Sequence, residues 1–97
     1  MNKTFTIEQI LISVCDYYQI EKTEILSKNR KRKIATPRHI FYYLCREFTN
    51  ASYRDLWKFT NRTKNAVIDS IYKIRMQKEL YPEIKTGIEG VICIMFK

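Results

Sequence analysis

Hydrophobic side chains recur along this chain in steps of three and four, and no convincing stretch alternates in steps of two. Ile7, Ile10, Leu11, Val14, Cys15 and Tyr18 make the first stripe. Thr6 with Gln9 three residues later is a capping box, so a helix is predicted to open there. A short turn is expected at Thr23-Glu24-Ile25-Leu26, capped by Thr23. Ile34, Pro37, Ile40, Phe41, Leu44, Cys45 and Phe48 then predict a helix from about Lys33 to Phe48. Pro37 is expected in its first turn, where a missing N–H does no harm. Ser52 with Asp55 opens a short helix to about Phe59 that buries Tyr53, Leu56 and Trp57. Thr60-Asn61 breaks it, and Asn61 accepts a left-handed backbone cheaply. From about Thr63 another helix turns Ala66, Val67, Ser70, Ile71 and Ile74 inward. Leu80-Tyr81-Pro82 stops it, and Pro82 starts a last helix with Ile84, Ile88, Val91, Ile92 and Met95 on its stripe. Gly87 and Gly90 weaken that helix by up to about 1 kcal/mol each. The expected fold is all-α, about six helices with a central helix-turn-helix, and residues 1–97 are expected to form a single domain.

Composition narrows the function classes. With 97 residues and 45% hydrophobic content, the chain can bury one small core. The longest apolar run, Val91 to Phe96, falls far short of the roughly 18 residues that span a bilayer, so no membrane partner is expected. Glu8 and Gln9 interrupt the apolar stretch near the start and no small-residue cleavage site follows, which argues against a signal peptide. The expected location is the cytoplasm, beside the nucleoid. Cys15, Cys45 and Cys93 each fall on an apolar helical face and read as buried, reduced thiols. No C-x-x-C pair accompanies the single histidine, so no metal site is expected. His39 itself reads as a surface residue beside Arg38. No nucleophile and base, or pair of carboxylates, stands at a recognisable spacing, and the only glycines lie in the last helix. The chain therefore reads as no enzyme, with no catalytic residue, no cofactor and no small-molecule substrate.

Charge points to a partner. The net charge is +8, and Lys28 to Lys78 holds 14 Lys or Arg against three acids, Glu47, Asp55 and Asp69. Such a block favours a polyanion, nucleic acid first. Lys28, Arg30, Lys31, Arg32 and Lys33 crowd ahead of the Pro37 helix, where they can grip phosphates with help from helix N–H groups. Arg38 and Arg46 extend this surface; the plain alternative is a solvated charge run. In the helix-turn-helix, Arg62, Thr63, Lys64 and Asn65 open the second helix, the part that meets base edges in the major groove. Asn pairs with adenine, Lys donates to guanine, and a Thr methyl meets a thymine methyl. The alternative is a capped helix start, with Thr63 or Asn61 as the cap. Seven tyrosines also admit base stacking, although Tyr17-Tyr18 and Tyr42-Tyr43 lie on helices, one of each pair facing the core and its neighbour the boundary.

The stretch YYQIEKTEILSKNRKRKIATPRHIFYYLCREFTNASYRDL, Tyr17 to Leu56, resembles the C-terminal DNA-binding domain of the bacterial replication initiator DnaA. The shared features are a tyrosine pair, a turn ending in L-S-K, a basic run, A-x-P-R, a helix ending in a Leu-x-Arg-Glu-like run with Thr, and a Ser-initiated helix. The resemblance implies an all-helical, duplex-binding domain. It implies an arginine of the basic loop entering the minor groove, by register Arg32, with Lys28, Arg30 and the Pro37-Arg38 region at backbone-contact positions. The family's reading signature, G-G-R-D-H-T-T-V, is replaced by Thr60-Asn61-Arg62-Thr63-Lys64-Asn65-Ala66-Val67, in which only Arg62 and Val67 match.

The resulting expectation is double-stranded DNA binding, sequence-specific with altered specificity, that regulates replication initiation or transcription. A free-standing domain is expected, without the family's ATPase. The alternative is a protein-interaction module that docks a replication or regulatory protein without reading DNA.

Overall fold

The computed structural model describes residues 5–97. They form six helices and, among the described residues, no strand: α1 (Ile7–Tyr18), α2 (Lys22–Ile25), α3 (Arg32–Phe48), α4 (Tyr53–Thr60), α5 (Lys64–Gln77) and α6 (Pro82–Met95). The local signals work as read at both capping boxes. Thr6 Oγ1 accepts the Gln9 N–H at 3.1 Å while Gln9 Oε1 accepts the Thr6 N–H at 2.8 Å. Ser52 and Asp55 repeat the exchange at 3.1 and 2.9 Å. Asn61 takes the left-handed conformation, φ 54° and ψ 42°, and Pro82 is the first residue of α6.

Two starts differ from expectation. α2 is capped by Glu21, not Thr23, because the Glu24 carboxylate reaches back to the Glu21 N–H at 3.1 Å. α3 begins at Arg32, which moves Pro37 into the second turn. There the proline leaves the Lys33 carbonyl without its helical donor. Burial of Ile34 at the very start of α3 offsets that loss and holds the first turn to the core.

α3 is the spine, touching each of the other five helices. Ile34, Ile40, Phe41, Leu44 and Cys45 are wholly buried along it. Val67, Ile71 and Ile74 of α5 and Ile10, Leu11 and Val14 of α1 complete the centre of the core. Both Tyr42 and Tyr43 are buried, rather than one of the two, because the Tyr42 hydroxyl finds a buried partner in Thr60 Oγ1 at 2.9 Å. Tyr17 stays at the surface and Tyr18 is half-buried, their rings edge to face at 4.9 Å. Of the thiols, Cys45 is buried and its pKa raised by desolvation; Cys15 is half-buried, and Cys93 is exposed on the outer side of α6 rather than inside.

Gly87 and Gly90 have a use that their helix cost hid. A Cβ on Gly87 would stand 2.0 Å from the Tyr18 hydroxyl, and one on Gly90 would stand 2.1 Å from Cε1 of Tyr17. The two glycines, one turn apart, let α6 lie against the tyrosine pair of α1. Tyr17 is at the surface and can swing outward; Tyr18 is half-buried, its pKa pushed up to about 12 chiefly by desolvation. Gly87→Ala is therefore expected to destabilise the fold by about 1–3 kcal/mol, as overpacking does, and Gly90→Ala by less. Adding Tyr18→Phe to Gly87→Ala should recover part of the loss in thermal melting; a Gly87→Ala protein that melts higher than wild type would contradict the close approach.

Candidate nucleic-acid interface

The basic run between α2 and α3 is a built turn. Ser27 Oγ donates to the Glu24 carbonyl at 2.6 Å and accepts the Asn29 N–H at 3.2 Å. Asn29 Oδ1 accepts the Lys31 N–H at 2.9 Å. Such side-chain-to-backbone bonds fix a bend that five cations in six positions would otherwise repel into an extended shape. Lys28, Arg30, Lys31, Arg32 and Lys33 all stay exposed on it.

Arg38 has a different task from the surface contact expected of it. It is 5% exposed, and its Nε donates to the Ile25 carbonyl at 2.6 Å and its Nη2 to the Glu24 carbonyl at 3.3 Å. Arg62, expected to read bases, likewise donates through Nη2 to the Ser27 carbonyl. Both guanidinium groups thus grip the end of α2 from which the basic turn departs. Burial, and then the neighbouring Arg62 charge, lower the Arg38 pKa. Arg46 is also withdrawn from the basic surface: it donates to the Ala51 carbonyl at 2.7 Å and lies 4.3 Å over the Tyr53 ring.

The second helix of the helix-turn-helix packs on α3 through Val67, Ile71 and Ile74, and one hydroxyl ties the end of its first helix to α3. Thr60 Oγ1 accepts from Tyr42 and donates to the Leu56 carbonyl at 2.9 Å, at the point where α4 ends. Asn61 then turns the chain. Thr63 is the N-cap of α5, its Oγ1 accepting the Ala66 N–H at 3.2 Å. Of the four residues expected to read bases, Arg62 and Thr63 are engaged within the protein, while Lys64 and Asn65 stand exposed on the first turn of α5.

Between the start of α3 and α5 runs a cleft of about 360 Å³, lined by Arg30, His39, Arg62, Asp69 and Lys73 among others. Arg32 and Lys33 line a second groove beside Tyr18, Gln77 and Tyr81; Arg30 borders both. His39, Asp69 and Lys73 were not among the residues singled out from sequence as partners of a ligand. Asp69 alone carried a visible sign, as the only acid between Asp55 and Glu79. The helix ends carry the same polarity. α1, α2, α4 and α6 each have an acid in the first turn, and α3 and α5 have none, so the positive ends of the two helices beside the cleft are left unneutralised. Among the described residues no cluster of His, Cys, Asp and Glu is arranged to hold a metal ion, and no helix is long and apolar enough to cross a membrane.

His39 is half-buried in the cleft rather than on the surface, and burial followed by the charges of Lys73, Arg38 and Arg62 push its pKa down to about 4. The folded protein thus holds His39 neutral while the unfolded chain binds a proton below about pH 6.5. Its contribution to stability is full above that value and is lost as pH falls toward 4. Melting temperature should decline over this window, and His39→Gln should flatten the decline while leaving the steeper loss below pH 4, where carboxylates protonate. An unchanged profile in His39→Gln would refute the burial of a neutral imidazole.

The sequence matches the family model described as the bacterial dnaA protein helix-turn-helix over residues 7–74, which spans the helices from α1 through most of α5. Similar full-length relatives are chromosomal replication initiator proteins DnaA. That of Geobacter sp. (strain M21) is 32% identical over 90 residues, covering 92% of this chain and 20% of the relative. The protein from Lachnoclostridium phytofermentans is 34% identical over 91 residues, covering 93% of the chain and 20% of the relative. That from Jannaschia sp. (strain CCS1) is 35% identical over 74 residues, covering 75% and 16%. The chain spans about a fifth of the length of the relatives it matches. The match supports DNA binding, and it agrees with six helices arranged around a gripped basic turn: the chain belongs to the bacterial DnaA helix-turn-helix family.

Proposed function

We propose that the chain binds double-stranded DNA with a sequence preference of its own, and so regulates replication initiation or transcription. The observation that carries this reading is the adjacency of the exposed basic turn and the uncapped, acid-free start of α3 to the cleft beside α5, whose first turn presents Lys64 and Asn65. Phosphate contacts by Lys28, Lys31, Arg32 and Lys33 supply affinity without sequence information. Lys64 and Asn65 supply readout, by donation to guanine and by paired bonds to adenine. Arg38 and Arg62 act indirectly, by holding the turn at a fixed distance from the reading helix. Site occupancy in competition with an initiator is the proposed means of regulation, given that the relatives are replication initiators.

The register of the resemblance gives the minor-groove role to Arg32, whereas the cleft supports Arg30, which lines it together with Ala66 and Asp69 of the first half of α5 while Arg32 lines only the second groove. A protein-docking reading has one observation in its favour: Tyr72 and Met76, one turn apart near the end of α5, and Leu80, in the turn beyond it, are 67%, 63% and 70% exposed.

Selection from a randomised duplex library, followed by salt titration on the winning sequence, tests the reading. The expected result is an enriched motif and a fall of log K with log salt that corresponds to about 5–8 phosphate contacts. Lys64→Ala and Asn65→Ala should each change the preferred base at one position, at a cost of about 1–3 kcal/mol. Arg30→Ala should weaken binding more than Arg32→Ala; equal losses, each lowering the salt slope by about one, would make both plain phosphate contacts. Absence of salt-sensitive duplex binding would reject the DNA reading and favour a protein partner.

A further inference from the structure

Asp69 sits where a surface made only for phosphates has no use for it. It is exposed, it lines the cleft with Arg30, Arg62 and Lys73, and among the described residues it takes part in no ion pair within 4 Å. It lies four residues after Asn65, hence one turn further along the same face of α5 and about 6 Å along the axis. The opposite face of that helix is the buried one, formed by Val67, Ser70, Ile71 and Ile74. A duplex that meets Asn65 therefore meets Asp69 as well.

Neither of the usual structural uses of a helical acid accounts for it. Thr63 already caps α5, and Asp69 belongs to the second turn, beyond the reach over which the positive helix end rewards a carboxylate. Lys73, four residues on, is at the favourable spacing for a pair, but the two do not pair. Facing a polyanion, an unpaired carboxylate is repelled unless it meets a donor. The donor that a carboxylate selects in the major groove is the exocyclic amine of cytosine.

Resting on the duplex-binding reading above, we propose that Asp69 is a specificity-determining residue that accepts a hydrogen bond from a cytosine N4 amine, one step beyond the base read by Asn65. Lys64, Asn65 and Asp69 then make a reading strip with both donors and an acceptor. Asp69 rejects other bases by repulsion as well as selecting cytosine by attraction.

The test is duplex selection with wild type, Asp69→Ala and Asp69→Asn, with the melting temperature of each protein measured alongside. Asp69→Ala should retain the wild-type melting temperature and lose the cytosine preference at a single position of the motif. It should bind the wild-type site roughly 5- to 100-fold more weakly, while its affinity for the same site with that cytosine replaced by thymine stays level or rises. An unchanged motif with uniformly tighter binding would overturn the proposal and make Asp69 a spectator charge. Wild-type binding that is salt-sensitive but yields no motif would also overturn it, and would leave duplex binding standing. No wild-type binding to any duplex would overturn both readings together.

Discussion

The arrangement of this domain hangs on two guanidinium groups and three backbone carbonyls. Helix α2 has only four residues and cannot persist by its own hydrogen bonds. Arg38, from α3, and Arg62, from the turn between α4 and α5, hold its exit by the carbonyls of Glu24, Ile25 and Ser27. The basic turn starts at that exit. Its position relative to α5 is thus set by side chains from α3 and from the turn between α4 and α5.

Helix α3 joins this arrangement to the core. The residues that bury Ile40, Phe41 and Leu44 also position Arg38, His39 and Tyr42 on its other sides. Tyr42 reaches the last turn of α4 through Thr60, so the angle at which α4 gives way to α5 is coupled to the same helix. A core defect along α3 would be felt at the surface as a shift in two anchor points at once, Arg38 and Tyr42.

What the sequence disclosed and what it hid divide by distance along the chain. The capping boxes at Thr6 and Ser52, the left-handed Asn61 and the proline start of α6 are governed by neighbours three or four residues away, and each was legible. Arg38 and Arg62 looked like surface cations because their acceptors lie 13 and 35 residues off, and no local pattern marks a backbone carbonyl as waiting for a guanidinium. The same holds for His39, whose neutrality depends first on its burial between α3 and α5 and then on the Lys73 charge across the cleft. Gly87 and Gly90 showed only their cost to α6, since the tyrosines they accommodate belong to the opposite end of the sequence. The hydrophobic pattern and its caps supplied the six helices and the helix-turn-helix, and the resemblance to DnaA agreed with them; the division of the arginines between scaffold and surface required the packing.

The acceptors chosen by Arg38 and Arg62 are neutral amide oxygens, not carboxylates. Bonds of that kind, buried at Ile25 and part-buried at Glu24 and Ser27, are little affected by mobile ions, whereas attraction between exposed cations and a polyanion fades as the screening length contracts from about 10 Å at 0.1 M to about 3 Å at 1 M salt. The guanidinium charges that maintain the shape of the domain are thus separate from the cations left exposed on the basic turn. Ionic conditions that screen the exposed cations leave the contacts that shape the fold in place, so the geometry of the basic turn does not depend on salt.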